Sequence, residues 1–142
     1  VYGFEKSLLE IISAPPKKAL ILGTGGASSA VAFVMKKLNI EFTYISRSAG
    51  ANAIEYNKVD EKVINEHHLI INASPLGTFP NIHLAPQLPY SFLTNDHVLF
   101  DLIYNPPETR FLQEGKKRGC KTLNGQKMLE YQAEKSWQIW NQ

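Results

Sequence analysis

Hydrophobic and polar positions follow two alternating patterns along most of the chain. Short apolar runs, such as "ALIL" at 19–22 and "HLIIN" at 68–72, are typical of buried strands. Stretches with apolar residues three and four positions apart are typical of helices that pack one face on a core. The patterns predict strands over 17–22, 41–46, 53–56, 68–72, 98–104 and 121–123, and helices over 4–12, 27–38, 60–66, 109–118 and 128–140.

The alternation of strands and helices indicates a single α/β domain. Strands joined through helices pair in parallel, and the helices then cover both faces of the sheet. A chain of 142 residues, 44% of them hydrophobic, is large enough to form one such core. The loop over 75–96 contains four prolines and is long for a compact domain, so we interpret it as functional or mobile.

A glycine-rich turn lies where the first predicted strand meets the next helix. Gly23 suits a tight turn, and Gly25 lets a ligand approach bare backbone. The helix that begins near Gly26 directs free N–H groups into the same gap, which favours a pyrophosphate. Ser28 replaces the third glycine of G-x-G-x-x-G and is still small. We therefore predict a Rossmann-like, doubly wound and mainly parallel sheet that binds a dinucleotide; a purely structural turn is the alternative.

The end of the second predicted strand distinguishes between two dinucleotides. An acidic residue there binds the ribose hydroxyls of NAD, whereas an arginine accommodates the 2′-phosphate of NADP. The chain has Ser46, Arg47 and Ser48 at this point, and no acid. A guanidinium and two hydroxyls suit a phosphate, so the pattern favours NADP. The alternative is that Arg47 is an ordinary solvated side chain.

Five motifs, taken in order, resemble the shikimate dehydrogenase family. They are "GTGGASSA" at 23–30, "SRS" at 46–48, "IINASPLG" at 70–77, "DLIYNPPETRFL" at 101–112 and "NGQKMLEYQ" at 124–132. The glycine motif alone is weak, but the ordered set is specific. The resemblance implies a two-domain enzyme that reduces 3-dehydroshikimate to shikimate with NADPH, in aromatic amino acid (chorismate) biosynthesis.

The resemblance also implies which residues hold the cofactor and the substrate. By resemblance, the pyrophosphate is bound by Gly23, Gly25, Gly26 and Ala27, with Thr24 as a further cofactor-binding residue, and the 2′-phosphate by Ser46, Arg47 and Ser48. The nicotinamide half is bound by Asn72, Ala73, Ser74, Leu102 and Gly125, and the substrate by Tyr104 and Gln132. Structural alternatives stay open: Asn72 as a turn cap, Tyr104 as a ring packed on the core, Gln132 as an exposed helix position. Asp101 we interpret as structural, bonding nearby backbone.

The resemblance has a departure and a gap. The family often carries a second basic residue a few positions after the one that corresponds to Arg47. This chain has Ala49, Gly50 and Ala51 there, so we expect a weaker preference for NADP over NAD. The family's substrate domain comes first, and its catalytic Asp belongs to N-T-D-x-x-G-F. The chain opens with "VYGF", so that Asp would directly precede Val1. We expect residues 1–142 to be an NADP-binding domain without catalytic residues, nearly inactive alone.

Composition removes several other classes of protein. A net charge of +2 is too balanced for nucleic-acid binding, and no apolar run is long enough to span a membrane. One cysteine, Cys120, precludes an internal disulfide and suits the cytoplasm, and no pattern of metal ligands is present. The alternatives are an S-adenosylmethionine-dependent methyltransferase, since "YNPPE" is similar to its catalytic loop, and a nucleotide-sensing module without activity. The sequence leaves the oligomeric state open.

Overall fold

The apolar runs form strands because the sheet buries them on both faces. The structure is a computed structural model that describes residues 1–48, 50 and 53–141; Ala49 and Ala51, noted above, lie outside the described residues. The strands are β1 (Lys18–Leu22), β2 (Glu41–Ser46), β3 (Ala53–Glu55), β4 (Leu69–Asn72), β5 (Val98–Asp101) and β6 (Lys121–Leu123). They form one parallel sheet in the order β3-β2-β1-β4-β5-β6, which confirms the predicted doubly wound fold.

Helices cover both faces of the sheet, as the alternating pattern predicted. They are α1 (Tyr2–Ile11), α2 (Gly26–Lys37), α3 (Glu61–Glu66), α4 (Arg110–Lys117) and α5 (Gln126–Trp140). Apolar residues of α1 and α2, such as Phe4 and Val31, form one core cluster with the strand residues on one face of the sheet. Residues of α3 and α4, such as Ile64 and Phe111, form a second cluster on the other face. Helix α5 packs mainly on α1.

The helix ends follow local chemistry that the sequence displays. Asp60 caps α3 by accepting the Val63 N–H at 3.0 Å, and Thr109 caps α4 by accepting the Leu112 N–H at 3.3 Å. The predicted stop of the fourth helix is confirmed, because Gly119 follows it with a φ of 80°. The helices predicted over 60–66 and 109–118 each began one residue too early, because their first residues, Asp60 and Thr109, are the caps that precede α3 and α4.

Two predicted strands end earlier than the sequence pattern suggested. The apolar run over 98–104 ends as a strand at Asp101, because the Asp101 carboxylate accepts the Ile103 N–H at 3.0 Å and removes it from the sheet. The short strand predicted over 53–56 ends at Glu55, and Tyr56 begins a single 3₁₀ turn, Tyr56–Lys58. Both changes occur at the carboxyl edge of the sheet, where the candidate site lies.

The proline-rich loop over 75–96 is held by packing on the core. Leu88 and Leu93 are buried in the cluster under α3 and α4, and a second 3₁₀ turn, Tyr90–Phe92, lies between them. Its first residues pass beside the ends of β1 and β4, so the start of the loop takes part in the candidate site.

Candidate functional site

Gly23 makes the turn that opens the site at the end of β1. Its φ of 107° lies in the left-handed region, where a side chain would be strained. Its N–H donates to the Ile45 carbonyl at 2.8 Å, which ties the turn to the end of β2. A Cβ on Gly23 would also lie 3.4 Å from the backbone of Ala73 and Ser74. The turn is therefore held between the ends of β2 and β4.

Gly25 and Gly26 begin α2 beside open space. A Cβ added to either residue would meet no atom within 4 Å, and neither residue has a positive φ. Within the described residues, neither packing nor backbone conformation requires a glycine at these two positions. Gly25 has no side chain to cap the helix, so the first N–H groups of α2 face this space. Such an opening suits an anionic ligand that approaches the backbone closely.

Ser28 shows how the third position of the glycine motif is used. The residue is fully buried, and its hydroxyl donates to the Gly25 carbonyl at 2.7 Å. A small side chain at this position lets α2 pack closely on the sheet while the hydroxyl fixes the turn. The prediction that Ser28 can replace glycine here is therefore consistent with its packing.

A cavity of about 320 Å³ extends from the glycine turn to the end of β2. Seven residues predicted from the sequence line it: Gly23, Thr24, Gly25, Ser46, Arg47, Ala73 and Ser74. Sequence reasoning missed three more, Tyr56, Pro75 and Leu76. Ser48 is exposed beside this cavity, and its carbonyl accepts a hydrogen bond from the Ser46 hydroxyl. The structure thus brings the glycine turn and the Arg47 segment together around one open space.

Asn72 is hydrogen-bonded to two residues that line this cavity, Ser74 and Leu76. It is fully buried, and its Oδ1 accepts from the Ser74 N–H at 3.1 Å and from the Ser74 hydroxyl at 2.6 Å. Its Nδ2 donates to the Leu76 carbonyl at 3.3 Å and to Asp101 Oδ1 at 3.2 Å. In this arrangement Asn72 fixes the loop that carries Ala73 and Ser74, which corresponds to the turn-cap alternative.

Asp101 completes this buried network at the end of β5. Besides Asn72, it accepts from the Ile103 N–H and, through Oδ2, from the Thr109 hydroxyl at 2.6 Å. Burial raises the pKa of Asp101 to about 6, although these three hydrogen bonds act in the opposite direction. The structural interpretation of Asp101 agrees with these contacts, since the side chain connects β4, β5 and the start of α4.

A second cavity, of about 190 Å³, is lined by residues of α1, α2 and α5 and by Leu102. Ala27, Leu102 and Gln132, all predicted from the sequence, line it together with apolar side chains of the three helices, such as Phe4, Val31 and Met128. Gly125 lies next to this region, and a Cβ there would be 2.0 Å from the Leu102 carbonyl oxygen. Backbone packing within the chain therefore requires Gly125, whatever a ligand requires.

The two predicted substrate residues lie apart from the first cavity. The Gln132 side-chain oxygen accepts the Gly3 N–H at 2.5 Å, which ties α5 to the start of α1. Tyr104 is exposed after the end of β5 and lines neither of the two cavities described above. Both residues lie at or near the carboxyl side of the sheet, but the structure does not bring their side chains together with Arg47.

Two structural features are absent from the part of the chain that the structure describes. Over the described residues, no three His, Cys, Asp or Glu side chains are grouped so that they could hold a metal ion. No helix among the described residues has the length and apolar character needed to cross a membrane.

Comparisons with known proteins agree with this geometry. No protein-family model matches the chain. The shikimate dehydrogenase (NADP(+)) of Caldicellulosiruptor saccharolyticus is 34% identical in an alignment 152 positions long, gaps included, that covers 97% of the chain and 54% of that protein. The enzyme of the same name from Pelagibacter ubique is 39% identical in an alignment 132 positions long that covers 88% of the chain and 49% of that protein.

Solved structures give the same result. A chorismate mutase/shikimate 5-dehydrogenase fusion protein from Clostridium acetobutylicum superposes with a TM-score of 0.85 at 30% identity, covering 99% of the chain and 54% of that protein. Shikimate 5-dehydrogenase from Listeria monocytogenes, solved with shikimate and NAD, gives a TM-score of 0.83 at 26% identity and covers 99% and 56%. A shikimate dehydrogenase solved with NADP+ gives 0.76 at 32% identity and covers 98% and 54%.

The chain spans about half the length of the relatives that it matches. Both the sequence matches and the structural matches extend over nearly the whole chain, and they share one enzyme name. The chain is therefore similar, over nearly its whole length, to about half of each shikimate dehydrogenase that it matches.

Proposed function

We propose that the chain binds NADP(H) and is the cofactor-binding domain of a two-domain shikimate dehydrogenase. That enzyme reduces 3-dehydroshikimate to shikimate with NADPH, in aromatic amino acid biosynthesis. The observation that carries the proposal is that Gly25 and Gly26 adjoin open space, and that the cavity at Gly25 is also lined by Arg47. No contact within the described chain requires a glycine at either position. The names of the relatives, and a structural neighbour solved with NADP+, support the same cofactor.

The residues around the first cavity fit the phosphate groups of this cofactor. The free N–H groups at the start of α2 suit the pyrophosphate. The Arg47 guanidinium suits the 2′-phosphate, because a guanidinium donates two parallel hydrogen bonds to phosphate oxygens. The Ser46 hydroxyl, which donates to the Ser48 carbonyl in the structure, is proposed to turn and donate to the same phosphate. Ser48, exposed beside them, is proposed as a further donor.

The nicotinamide half is proposed to extend toward the second cavity. Leu102 and Ala27 provide apolar contact there, and Gly125 keeps the backbone of the neighbouring turn close to the sheet. Ala73 and Ser74 form the wall between the two halves, and Asn72 holds them in place. When bound, the cofactor supplies the hydride, and these residues orient its reactive ring.

Tyr104 and Gln132 are proposed to contact the substrate. Tyr104 is exposed at the carboxyl edge, where its hydroxyl is accessible to a polar ligand. Gln132 accepts a hydrogen bond from Gly3, but its amide nitrogen carries two hydrogens that can be donated to a hydroxylated ring. The remaining contacts, including the acid–base pair, are proposed to come from the second domain.

The cofactor proposal is tested by titrating the chain with NADPH, NADH and S-adenosylmethionine. We expect NADPH to bind and S-adenosylmethionine not to bind. The Arg47→Ala substitution should weaken the affinity for NADPH by about ten- to a hundredfold, since a hydrogen bond to a charged group contributes about 1.5–3 kcal/mol. NADH, which lacks the 2′-phosphate, should bind both proteins equally.

The matched control for this experiment is Arg118→Ala. It removes the same charge at the far end of α4, where Arg118 pairs with Glu114 at 2.7 Å. NADPH affinity should not change in this variant. Equal losses of NADPH and NADH affinity in Arg47→Ala would contradict the assignment of Arg47 to the 2′-phosphate.

The domain proposal is tested separately with an activity assay. The chain, supplied with NADPH and 3-dehydroshikimate, should oxidise little or no NADPH although it binds the cofactor. General acid–base catalysis contributes about 10²–10⁴-fold, and positioning of the substrate contributes more. Rapid turnover by these 142 residues alone would show that the catalytic groups lie within the chain.

A further inference from the structure

Tyr56 stands beside Arg47 at the carboxyl edge of the sheet. Strands β2 and β3 pair in parallel, and Ser46 lies opposite Glu55 in that ladder. Arg47 directly follows β2 and Tyr56 directly follows β3, and neighbouring strands are about 4.8 Å apart. Both residues line the first cavity.

The Tyr56 ring is supported from behind by the core. The side chain is half-buried and packs against the apolar cluster that contains Ile45 and Ile64. A ring that is held in this way loses little conformational freedom when a ligand binds against it. It is therefore suited to be a rigid wall of a binding site.

The chemistry of the cavity wall indicates what this ring contacts. Among the described residues that line the cavity, Tyr56 is the one aromatic side chain and Arg47 the one charged side chain. The loop that follows β4 supplies small and aliphatic groups, such as Ala73, Pro75 and Leu76. A cavity lined by an aromatic ring together with aliphatic groups suits a flat heterocycle.

We propose that Tyr56 is an adenine-binding residue of this site. Its ring stacks on the base of the dinucleotide, while Arg47 beside it holds the 2′-phosphate of the same nucleotide. The inference rests on the proposed binding of NADP(H) and adds to it the residue that recognises the base.

The charge state of Tyr56 is compatible with a neighbouring phosphate. Burial raises the pKa of the Tyr56 phenol, and the Arg47 guanidinium opposes this change in part. The hydroxyl therefore stays protonated at neutral pH and adds no negative charge next to the 2′-phosphate.

The test uses calorimetric titration of the wild-type chain, Tyr56→Leu and Tyr56→Phe with three probes. The probes are NADP+, adenosine 2′-monophosphate and nicotinamide mononucleotide. Tyr56→Leu should weaken the binding of NADP+ and of adenosine 2′-monophosphate by about five- to 150-fold, which corresponds to the usual contribution of one base–aromatic stack. Tyr56→Phe should bind all probes as the wild type does, and nicotinamide mononucleotide should be unaffected throughout.

Phe92→Leu is the matched control for the loss of a core-packed ring. Phe92 packs against the same apolar cluster as Tyr56 but does not line the cavity. This variant should bind the three probes normally. In the wild-type chain, intermolecular nuclear Overhauser effects between adenine protons and tyrosine ring protons should be present, and they do not depend on the folding of any variant.

The outcomes separate the two proposals. If the wild type binds NADP+ but Tyr56→Leu binds adenosine 2′-monophosphate equally well, the role of Tyr56 is wrong and the proposed function stands. Equal losses in Tyr56→Phe and Tyr56→Leu would assign the effect to the hydroxyl and overturn stacking. If the wild type binds neither NADP+ nor adenosine 2′-monophosphate, both proposals are wrong.

Discussion

Replacing Asp101→Asn should change how the stability of the chain depends on pH. Asp101 is fully buried, and burial raises its pKa from 3.8 to about 6. The folded chain therefore holds this proton more tightly than the unfolded chain does. The stabilisation from the neutral carboxylic acid is complete below about pH 4 and is lost as the pH rises through about 6.

The size of the effect follows from the difference between the two pKa values. A difference of about two units corresponds to about 3 kcal/mol. Asparagine keeps an oxygen that can accept from Ile103 and Asn72, and its amide group then donates to the Thr109 hydroxyl, which rotates. The variant is therefore expected to fold and to lack this titration.

Urea unfolding of both proteins between about pH 4 and pH 8 measures the effect. The free energy of unfolding of the wild type, relative to Asp101→Asn, should fall by about 3 kcal/mol across this range, mostly below pH 7. Other titrating groups, such as His97, are present in both proteins and cancel in the difference. A difference that stays constant with pH would refute the reasoning about Asp101.

Three further predictions concern single residues. Gly125→Ala places a methyl group 2.0 Å from the Leu102 carbonyl oxygen, so calorimetry should show stability reduced by about 1–3 kcal/mol or more; an unchanged melting temperature would contradict it. In Gly25→Ala the added methyl group meets open space, so the chain should lose at most about 1 kcal/mol of stability. Titration should show NADP+ bound about tenfold more weakly; normal binding would contradict close approach of the cofactor to the Gly25 backbone. Burial lowers the pKa of His97, whose Nδ1 accepts the Thr94 N–H at 3.0 Å, so stability should fall as the pH drops below about 6.5. His97→Gln should weaken this dependence in acid unfolding, and an unchanged profile would contradict it.

Much of the fold could be predicted because its signals are local. The apolar run of β1 and the spacing in α2 each reflect burial of a strand or of a helix face. The boundaries were harder, because side chains decide them through contacts that the pattern does not show. Asp101 ends β5 by bonding the backbone of Ile103, although the apolar run continues to Tyr104.

The site shows the same division at the level of single residues. The glycine turn and Arg47 could be predicted, and the structure places them around one cavity. Tyr56 was not predicted as a site residue, because it lies beside Arg47 only through the register of β3 on β2. The family resemblance explained Gly125 by contact with the nicotinamide. In the structure, the Leu102 carbonyl lies so close that no side chain fits at position 125, whether or not a ligand is bound.

The sequence by itself determined the order of strands and helices, the parallel sheet, and the position of a glycine-rich turn at the start of α2. These depend on the period of apolar residues and on small residues at one junction, which are properties of neighbouring positions. Only the tertiary structure decided that Asn72 and Asp101 form a buried support and that Tyr56 lines the cavity. Those roles depend on which strands lie side by side, and strand pairing joins residues that are far apart in the chain.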